Sequence, residues 1–193
     1  MSAKWIFALC GTLCAAPALA DEPLRIGIVA GAGYYEINDP AGPTQTTYAP
    51  DLGFIAIADW ARDARLFYQA HYQHFTLDAG TANIGQDVKR ASVSVSYQHL
   101  LRLSHPWKPW LGIGVGYAHE TDSLRHTVDS GGFLATTYPD RSNSEVDAIL
   151  SVSSEWRWTQ QWHLGFTVQY DAPLSSSGTR ALTLDATVDY MLR

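Results

Sequence analysis

The chain closes on Leu182-Thr183-Leu184-Asp185-Ala186-Thr187-Val188-Asp189-Tyr190-Met191-Leu192. Every even position in this stretch is apolar, whereas most odd positions carry a hydroxyl or a carboxylate. Alternation with a period of two is typical of a β-strand that has one apolar face and one polar face. The stretch therefore predicts a strand whose two faces meet different surroundings.

The same alternation recurs upstream and predicts eight strands in all. We place them at about 24–37, 51–60, 64–76, 88–101, 109–120, 144–158, 161–171 and 182–192. Short links at about 61–63, 102–108 and 159–160 alternate with longer ones at about 38–50, 77–87, 121–143 and 172–180. A rhythm of tight periplasmic turns and larger extracellular loops is expected of an all-β, eight-stranded antiparallel up-and-down transmembrane β-barrel.

Alternation alone does not say which face of the strands points into the barrel. In a soluble lipocalin-like barrel the apolar face points inward, whereas in a membrane barrel it faces lipid. Three features favour lipid: the apolar rows end in Trp or Tyr, the other rows are rich in Gly, Ser and Thr, and only Lys89 and Lys108 follow residue 20. We therefore expect Val93, Ile113 and Leu184 on the outer wall, with Arg90, Glu155 and Asp185 inside.

Residues 1–20 have the pattern of a cleavable secretory signal. Lys4 supplies the positive start, residues 5–16 are mostly apolar, and Ala18-Leu19-Ala20 fits a small-residue cleavage site. Both cysteines, Cys10 and Cys14, lie within this segment, so residues 21–193 have no thiol for a disulfide or a metal site. The expected organisation is a signal peptide followed by one barrel domain in the bacterial outer membrane.

Charge and aromatic content narrow the function classes. A formal net charge of −6 argues against nucleic-acid binding, which needs basic patches. Seven Trp and ten Tyr are many for 193 residues, and aromatic girdles at the two membrane interfaces would explain them. Six tryptophans flank the predicted periplasmic turns and are expected in such a belt: Trp60, Trp107, Trp110, Trp156, Trp158 and Trp162.

One stretch resembles a known class of proteins. Residues 107–117 read Trp-Lys-Pro-Trp-Leu-Gly-Ile-Gly-Val-Gly-Tyr, which is similar to a strand that recurs in small outer-membrane β-barrels of the OmpA/OmpX type. The resemblance covers residues 21–193 as architecture and implies a class rather than an activity. It also implies outer-membrane lipids, lipopolysaccharide and the barrel assembly machinery as partners. Many such proteins end in an aromatic residue, but this chain ends Tyr190-Met191-Leu192-Arg193.

The polar rows carry charges that a barrel of this size would enclose. Because charges in a low-dielectric interior must be paired, we expect a lumenal network of ion pairs and hydrogen bonds. An eight-stranded barrel is just wide enough for side chains to fill it, which favours a plug over a gate for ions or small solutes. The expected members are Arg25, Arg65, Arg90, Asp147, Glu155, Arg157, Asp185 and Asp189.

A hydrolase acting on lipid A would need a Ser–His–acid set near the outer end of a strand. His119, Glu120 and Asp122 are the weak candidates for it. Eight-stranded lipid A deacylases resemble this chain in size and architecture, and their His-x-Ser motif should fall on the penultimate strand. That stretch here, 168–173, has no histidine, which counts against the activity.

The leading hypothesis is a non-enzymatic outer-membrane barrel with a plugged polar lumen and extracellular loops in a structural or surface-binding role. We assign no catalytic residue, no metal ligand and no cofactor, and the extracellular ligand is open. The alternatives are a narrow porin-like pore for small solutes, a lipid A-modifying hydrolase and a soluble periplasmic barrel. Acidic loop residues fit no EF-hand spacing, so plain solvated loops explain them better than a Ca²⁺ site.

Overall fold

A computed structural model describes residues 24–102, 109–175 and 178–192. The described part contains nine β-strands: β1 (Leu24–Ile37), β2 (Gln45–Ala61), β3 (Ala64–Leu77), β4 (Gly85–Leu100), β5 (Trp110–Val128), β6 (Leu134–Thr137), β7 (Arg141–Arg157), β8 (Trp162–Pro173) and β9 (Arg180–Met191). No helix in these ranges is long and apolar enough to cross a membrane. The predicted signal segment, residues 1–20, lies outside the described residues.

Eight of the strands close into an antiparallel barrel. β1 pairs with both β2 and β9, β4 pairs with β5, and β5 continues to β7, so the sheet returns to its start. The short strand β6 pairs only with the end of β5 and lies outside the closed ring. The predicted fold class, an eight-stranded all-β up-and-down barrel, is therefore confirmed.

The barrel is apolar outside and polar inside. Ile113 and Leu184 on the outer wall are 66% and 59% exposed, whereas Arg90 and Asp185 on the inner wall are 1% and 0% exposed. This polarity is the reverse of a soluble barrel and is the arrangement that hydrocarbon surroundings require. The expected orientation of these four side chains is confirmed.

The lumen is less uniformly polar than the alternation predicts. One buried apolar cluster joins Val29, Ile55, Ile57 and Phe67, which all face inward. A second apolar cluster contains Tyr35, Ile37, Ala49, Phe75, Leu77, Val88 and Ala181. The polar lumen expected from the alternation therefore also contains apolar side chains, which pack closely in a protein interior.

Strand β5 is longer than predicted. It runs to Val128 and forms a hairpin with β6, so most of the predicted loop 121–143 is strand. The pairing of β4 with β5 shifts between Gly85 and Asp87, and Leu124 in this bulge has a φ of 57°. The extra residue reverses the alternation, so that Arg125, rather than an even-numbered residue, faces the interior.

One tryptophan lies inside the barrel rather than in the interfacial belt. Trp110 is buried, and its ring lies 4.0 Å from the guanidinium carbon of Arg65. The prediction for this residue was wrong because a cation can hold an aromatic ring in the lumen. Trp107 lies outside the described residues. The belt tryptophans that the structure does expose are Trp60, Trp156, Trp158 and Trp162.

Candidate functional site

Ion pairs around Glu155 lie in the lumen at the end where β1 begins. Its Oε2 accepts from Arg65 Nη1 at 2.5 Å and from Arg25 Nη1 at 3.0 Å. Arg25 also contacts Asp189 and Asp59, each at 3.4 Å. Because β1, β3 and β7 supply these groups, the pairs span the lumen rather than follow one wall.

A second group of ion pairs surrounds Arg90 on β4. Its Nη2 donates to Asp147 at 2.9 Å and to Glu145 at 3.2 Å, and Nη1 lies 4.0 Å from Asp171. All four side chains are buried. One guanidinium therefore faces three carboxylates, which leaves this level of the lumen with an excess of negative charge.

A third group of ion pairs lies at the end of the barrel where β1 ends. Arg125 Nη2 lies 2.5 Å from Asp39 Oδ2, and Arg141 Nε donates to Asp122 Oδ2 at 2.9 Å. Glu120 lies 3.5 Å from Arg141 and accepts from the Thr179 hydroxyl at 2.8 Å. The barrel is thus crossed by charged groups at three levels.

Most members of the expected lumenal network face inward, but they do not form one cluster. Arg25, Arg65, Glu155 and Asp189 meet at one end, and Arg90 meets Asp147 farther along. Arg157 does not join either group: it is exposed, and it donates to the carbonyls of Thr159 and Gln160 in the β7–β8 turn. The prediction for Arg157 was wrong because its strand ends at the barrel rim.

Asp185 belongs to a different cluster, which sequence spacing did not reveal. Ligating atoms of Asp51, His71 and Asp185 all lie within 4.8 Å of one another, and the three side chains are buried. They come from β2, β3 and β9. His71 Nδ1 lies 2.8 Å from Asp51 Oδ2, and Gln73 Nε2 donates to Asp51 Oδ1 at 2.8 Å.

Strand register explains how the two carboxylates meet. Gly31 on β1 pairs with Asp51 on one side and with Asp185 on the other. A Cβ atom at Gly31 would overlap Asp185 Oδ1, so the missing side chain leaves the space into which that carboxylate turns. Glycine at this position therefore permits the approach of two like charges across one strand.

The interior as a whole has too few cations for its carboxylates. Among the described residues, nine carboxylate side chains and four guanidinium side chains are buried. Burying an ionised carboxylate without a partner is costly, so such a group must gain a proton or a bound cation. The cluster of Asp51, His71 and Asp185 has no arginine within ion-pairing distance in the described part of the chain.

The weak hydrolase candidates do not form a triad. His119 is exposed on the outer wall, where its Nδ1 lies 2.9 Å from the Ser144 hydroxyl and its Nε2 lies 3.4 Å from Ser142. Glu120 and Asp122 face the opposite side of the strand and bind other partners. Strand alternation thus separates the histidine from both acids, and the ring contacts only hydroxyls among the hydrogen bonds of the described residues.

The hairpin of β5 and β6 has an ordered tip. Asp129 Oδ1 accepts from the backbone N–H groups of Gly131 and Phe133 at 2.8 and 2.9 Å. The Asp129 N–H donates to the Phe133 carbonyl at 2.8 Å, and Gly132 adopts a positive φ of 81°. An aspartate that caps its own turn in this way holds the tip in one conformation.

Three large apolar side chains of this hairpin point into the surroundings. Leu124, Phe133 and Leu134 are 75%, 74% and 65% exposed. The hairpin lies at the end of the barrel opposite the termini, because β1 and β5 run in the same direction and β1 begins at Leu24. It therefore presents apolar surface beyond the part of the wall that carries Ile113 and Val115.

Solved structures of other proteins share this architecture. The Neisserial surface protein NspA aligns with a TM-score of 0.61 at 13% identity, over 86% of this chain and 96% of NspA. A major outer membrane protein of Thermus thermophilus gives 0.56 at 12% identity, over 88% and 99%. Ail, the attachment invasion locus protein of Yersinia pestis, gives 0.53 at 11% identity, over 87% and 98%.

The chain has the fold of the small outer-membrane β-barrels. This agrees with the resemblance to the OmpA/OmpX type, and it rests on the closed eight-stranded sheet together with these structural similarities. At 11–13% identity the likeness establishes the fold alone. Neither the comparison with protein families nor that with curated protein sequences finds a match.

Proposed function

We propose that this protein is an outer-membrane barrel with a plugged lumen that binds a partner outside the cell through the apolar tip of its β5–β6 hairpin. The observation that carries the proposal is the ordered hairpin with three exposed apolar side chains, Leu124, Phe133 and Leu134. Large apolar groups gathered on one exposed element, unlike apolar residues scattered singly, are a feature of interaction surfaces.

The proposal includes a location. A barrel with an apolar outer wall needs hydrocarbon around it, and outer-membrane barrels place their longer connections outside the cell. The secretory signal expected at residues 1–20 fits this route. Outer-membrane lipids, lipopolysaccharide and the barrel assembly machinery are then the surroundings in which the protein folds and stays.

Ion pairs that cross the lumen support a binding role over a porin-like role. Arg25, Arg65 and Arg90 each contact a carboxylate on a strand that is not their neighbour, so ion pairs lie across the route that a solute would take. We expect purified barrels in planar bilayers to give no current above leak. Discrete conductance steps would favour the narrow pore instead.

Backbone strain at Leu124 also supports a role for the hairpin. A bulky residue with a φ of 57° costs about 1–2 kcal/mol relative to ordinary strand geometry. Such strain is retained where the surrounding structure or a function requires it. Here the bulge turns Arg125 inward to Asp39 and leaves the Leu124 side chain in the open.

The chemistry of the tip indicates a partner that buries apolar groups. Ail has also been solved with the heparin analogue sucrose octasulfate. The hairpin tip of the present chain carries Asp129 beside Phe133, and the net charge is −6, so a polyanion is the less suitable ligand. A protein surface with an apolar patch matches Phe133 and Leu134 better.

Adhesion of whole cells tests the proposal. Cells that display the wild-type barrel should adhere to epithelial monolayers and to immobilised host proteins, and a Phe133→Ser/Leu134→Ser variant should lose at least tenfold of that adhesion. The matched control is Tyr48→Ser, which alters an exposed side chain on β2 outside the hairpin. Equal adhesion by all three, at equal surface display, would overturn the proposed role of the tip.

A further inference from the structure

We propose that Asp51, His71 and Asp185 form a site inside the barrel for one first-row divalent cation of the Zn²⁺ type. The three ligating atoms lie within 4.8 Å of one another on β2, β3 and β9. One imidazole nitrogen and two carboxylate oxygens are a donor set that Zn²⁺ and its neighbours accept. The role is structural, since all three side chains are buried.

The distances suit a shared ion. Ligands about 2.0–2.2 Å from a metal lie roughly 3–4 Å from one another in tetrahedral or octahedral geometry. The separation of 2.8 Å between His71 Nδ1 and Asp51 Oδ2 lies just below that range, and none of the three ligating atoms is more than 4.8 Å from another. The proposal therefore includes a side-chain adjustment that brings the three groups onto one ion.

Unpaired polar atoms converge on the same place. Both oxygens of Asp185 and Nε2 of His71 are buried and lack a hydrogen-bond partner among the described residues. The remaining ring nitrogen, His71 Nδ1, lies 2.8 Å from Asp51 Oδ2. Buried polar atoms are almost always paired, so three unpaired atoms in one cluster point to a missing ligand.

Gln73 supplies a further donor at the same level. Its Nε2 donates to Asp51 Oδ1, which orients that carboxylate, while its Oε1 lacks a partner among the described residues. A residue that orients a ligating carboxylate in this way is a usual feature of metal sites. A water would complete four-fold coordination.

The charge of the interior favours the same conclusion. A protonated His71 paired with Asp51 would leave Asp185 as an uncompensated carboxylate that is fully buried. Arg90, on the nearest charged level, already faces Glu145, Asp147 and Asp171. A divalent cation would neutralise both Asp51 and Asp185.

Metal binding by the intact barrel tests the site. Barrels refolded in detergent, stripped with chelator and then titrated with Zn²⁺ should bind one equivalent with a dissociation constant in the micromolar range or tighter. Co²⁺ should give visible d–d absorption bands in the same protein. His71→Gln and Asp185→Asn should each weaken binding at least a hundredfold and remove the Co²⁺ bands.

A control variant and a stability measurement distinguish this site from other places where Zn²⁺ could bind. His74→Gln is the matched control, because His74 and Asp87 form an exposed pair with 2.6 Å between Nε2 and Oδ1 outside the lumen, and it should bind Zn²⁺ like the wild type. Zn²⁺ should raise the urea midpoint of the wild type but not that of Asp185→Asn, which removes a buried charge at nearly constant shape. Absence of one-equivalent binding by the wild type, or wild-type binding by His71→Gln, would overturn the proposal.

Discussion

Arg65 on β3 donates to Glu155 on β7 across the lumen, with 2.5 Å between Nη1 and Oε2. The two strands are not hydrogen-bonded neighbours in the barrel. The same carboxylate oxygen also accepts from Arg25 on β1. Three strands are therefore joined through one acceptor, which braces the barrel walls from within in addition to the backbone ladder.

Replacement of Arg65 with Met should destabilise the barrel by about 1.5–3 kcal/mol, because Glu155 loses one of its two cationic partners and keeps only Arg25. The urea unfolding midpoint of barrels refolded into lipid vesicles measures the change. Arg102→Met is the matched control, since Arg102 forms an exposed pair with Asp63 at 3.0 Å. Such a surface pair contributes about 0–1 kcal/mol, so equal shifts in the two variants would contradict a bracing role for Arg65.

Introduction of a charge on the lipid-facing wall should impair insertion. Val95 on β4 pairs with Tyr68 and Val115, which both belong to the outward rows. Val95→Arg near the bilayer midplane should cost about 2–4 kcal/mol. Thr121→Arg, on the outward face of β5 beyond the apolar rows, should cost much less. The fraction of protein that resists extraction from vesicles by carbonate reports insertion, and full insertion of Val95→Arg would refute the assigned orientation.

Strand faces were predictable because their cause is local. A period of two places alternate side chains on opposite walls, so Arg25, Arg65 and Arg90 could be assigned to one side from sequence alone. The side that faces lipid followed from the scarcity of Lys and the small residues of the polar rows. Strand β2 was the exception, because both of its faces carry large apolar side chains and the pattern does not say which face points inward. Leu52 and Phe54 face out, whereas Ile55 and Ile57 face in.

Contacts between side chains that are far apart in the sequence were not predictable in this way. Asp51, His71 and Asp185 meet because of the stagger between three strands, and alternation does not encode stagger. Arg125 faces inward only because a bulge at Leu124 reverses the alternation. Trp110 follows the inward row of β5, but the general preference of tryptophan for membrane interfaces indicated the opposite location.

Removal of the indole of Trp110 should destabilise the barrel more than removal of an interfacial tryptophan. Trp110→Ala loses both a buried aromatic group and the stacking on Arg65, and we expect about 3–5 kcal/mol of lost stability. Trp110→Phe keeps a ring and should lose less than half as much. Trp158→Ala, at the exposed β7–β8 turn, is the control for loss of a tryptophan as such. Equal unfolding midpoints for Trp110→Ala and Trp158→Ala would contradict the lumenal role.

Leu124→Gly should stabilise the folded barrel even though it deletes a large side chain. Leu124 is exposed and has a φ of 57°, where glycine has no steric penalty, so we expect a gain of about 1 kcal/mol in the free energy of unfolding. Leu134→Gly removes another exposed leucine, from β6, for which no positive φ is found, and should lower stability slightly because glycine weakens a strand. Opposite signs in the two variants would locate the strain at the bulge. If both variants lost stability to the same extent, the strain would not be stored in the Leu124 backbone.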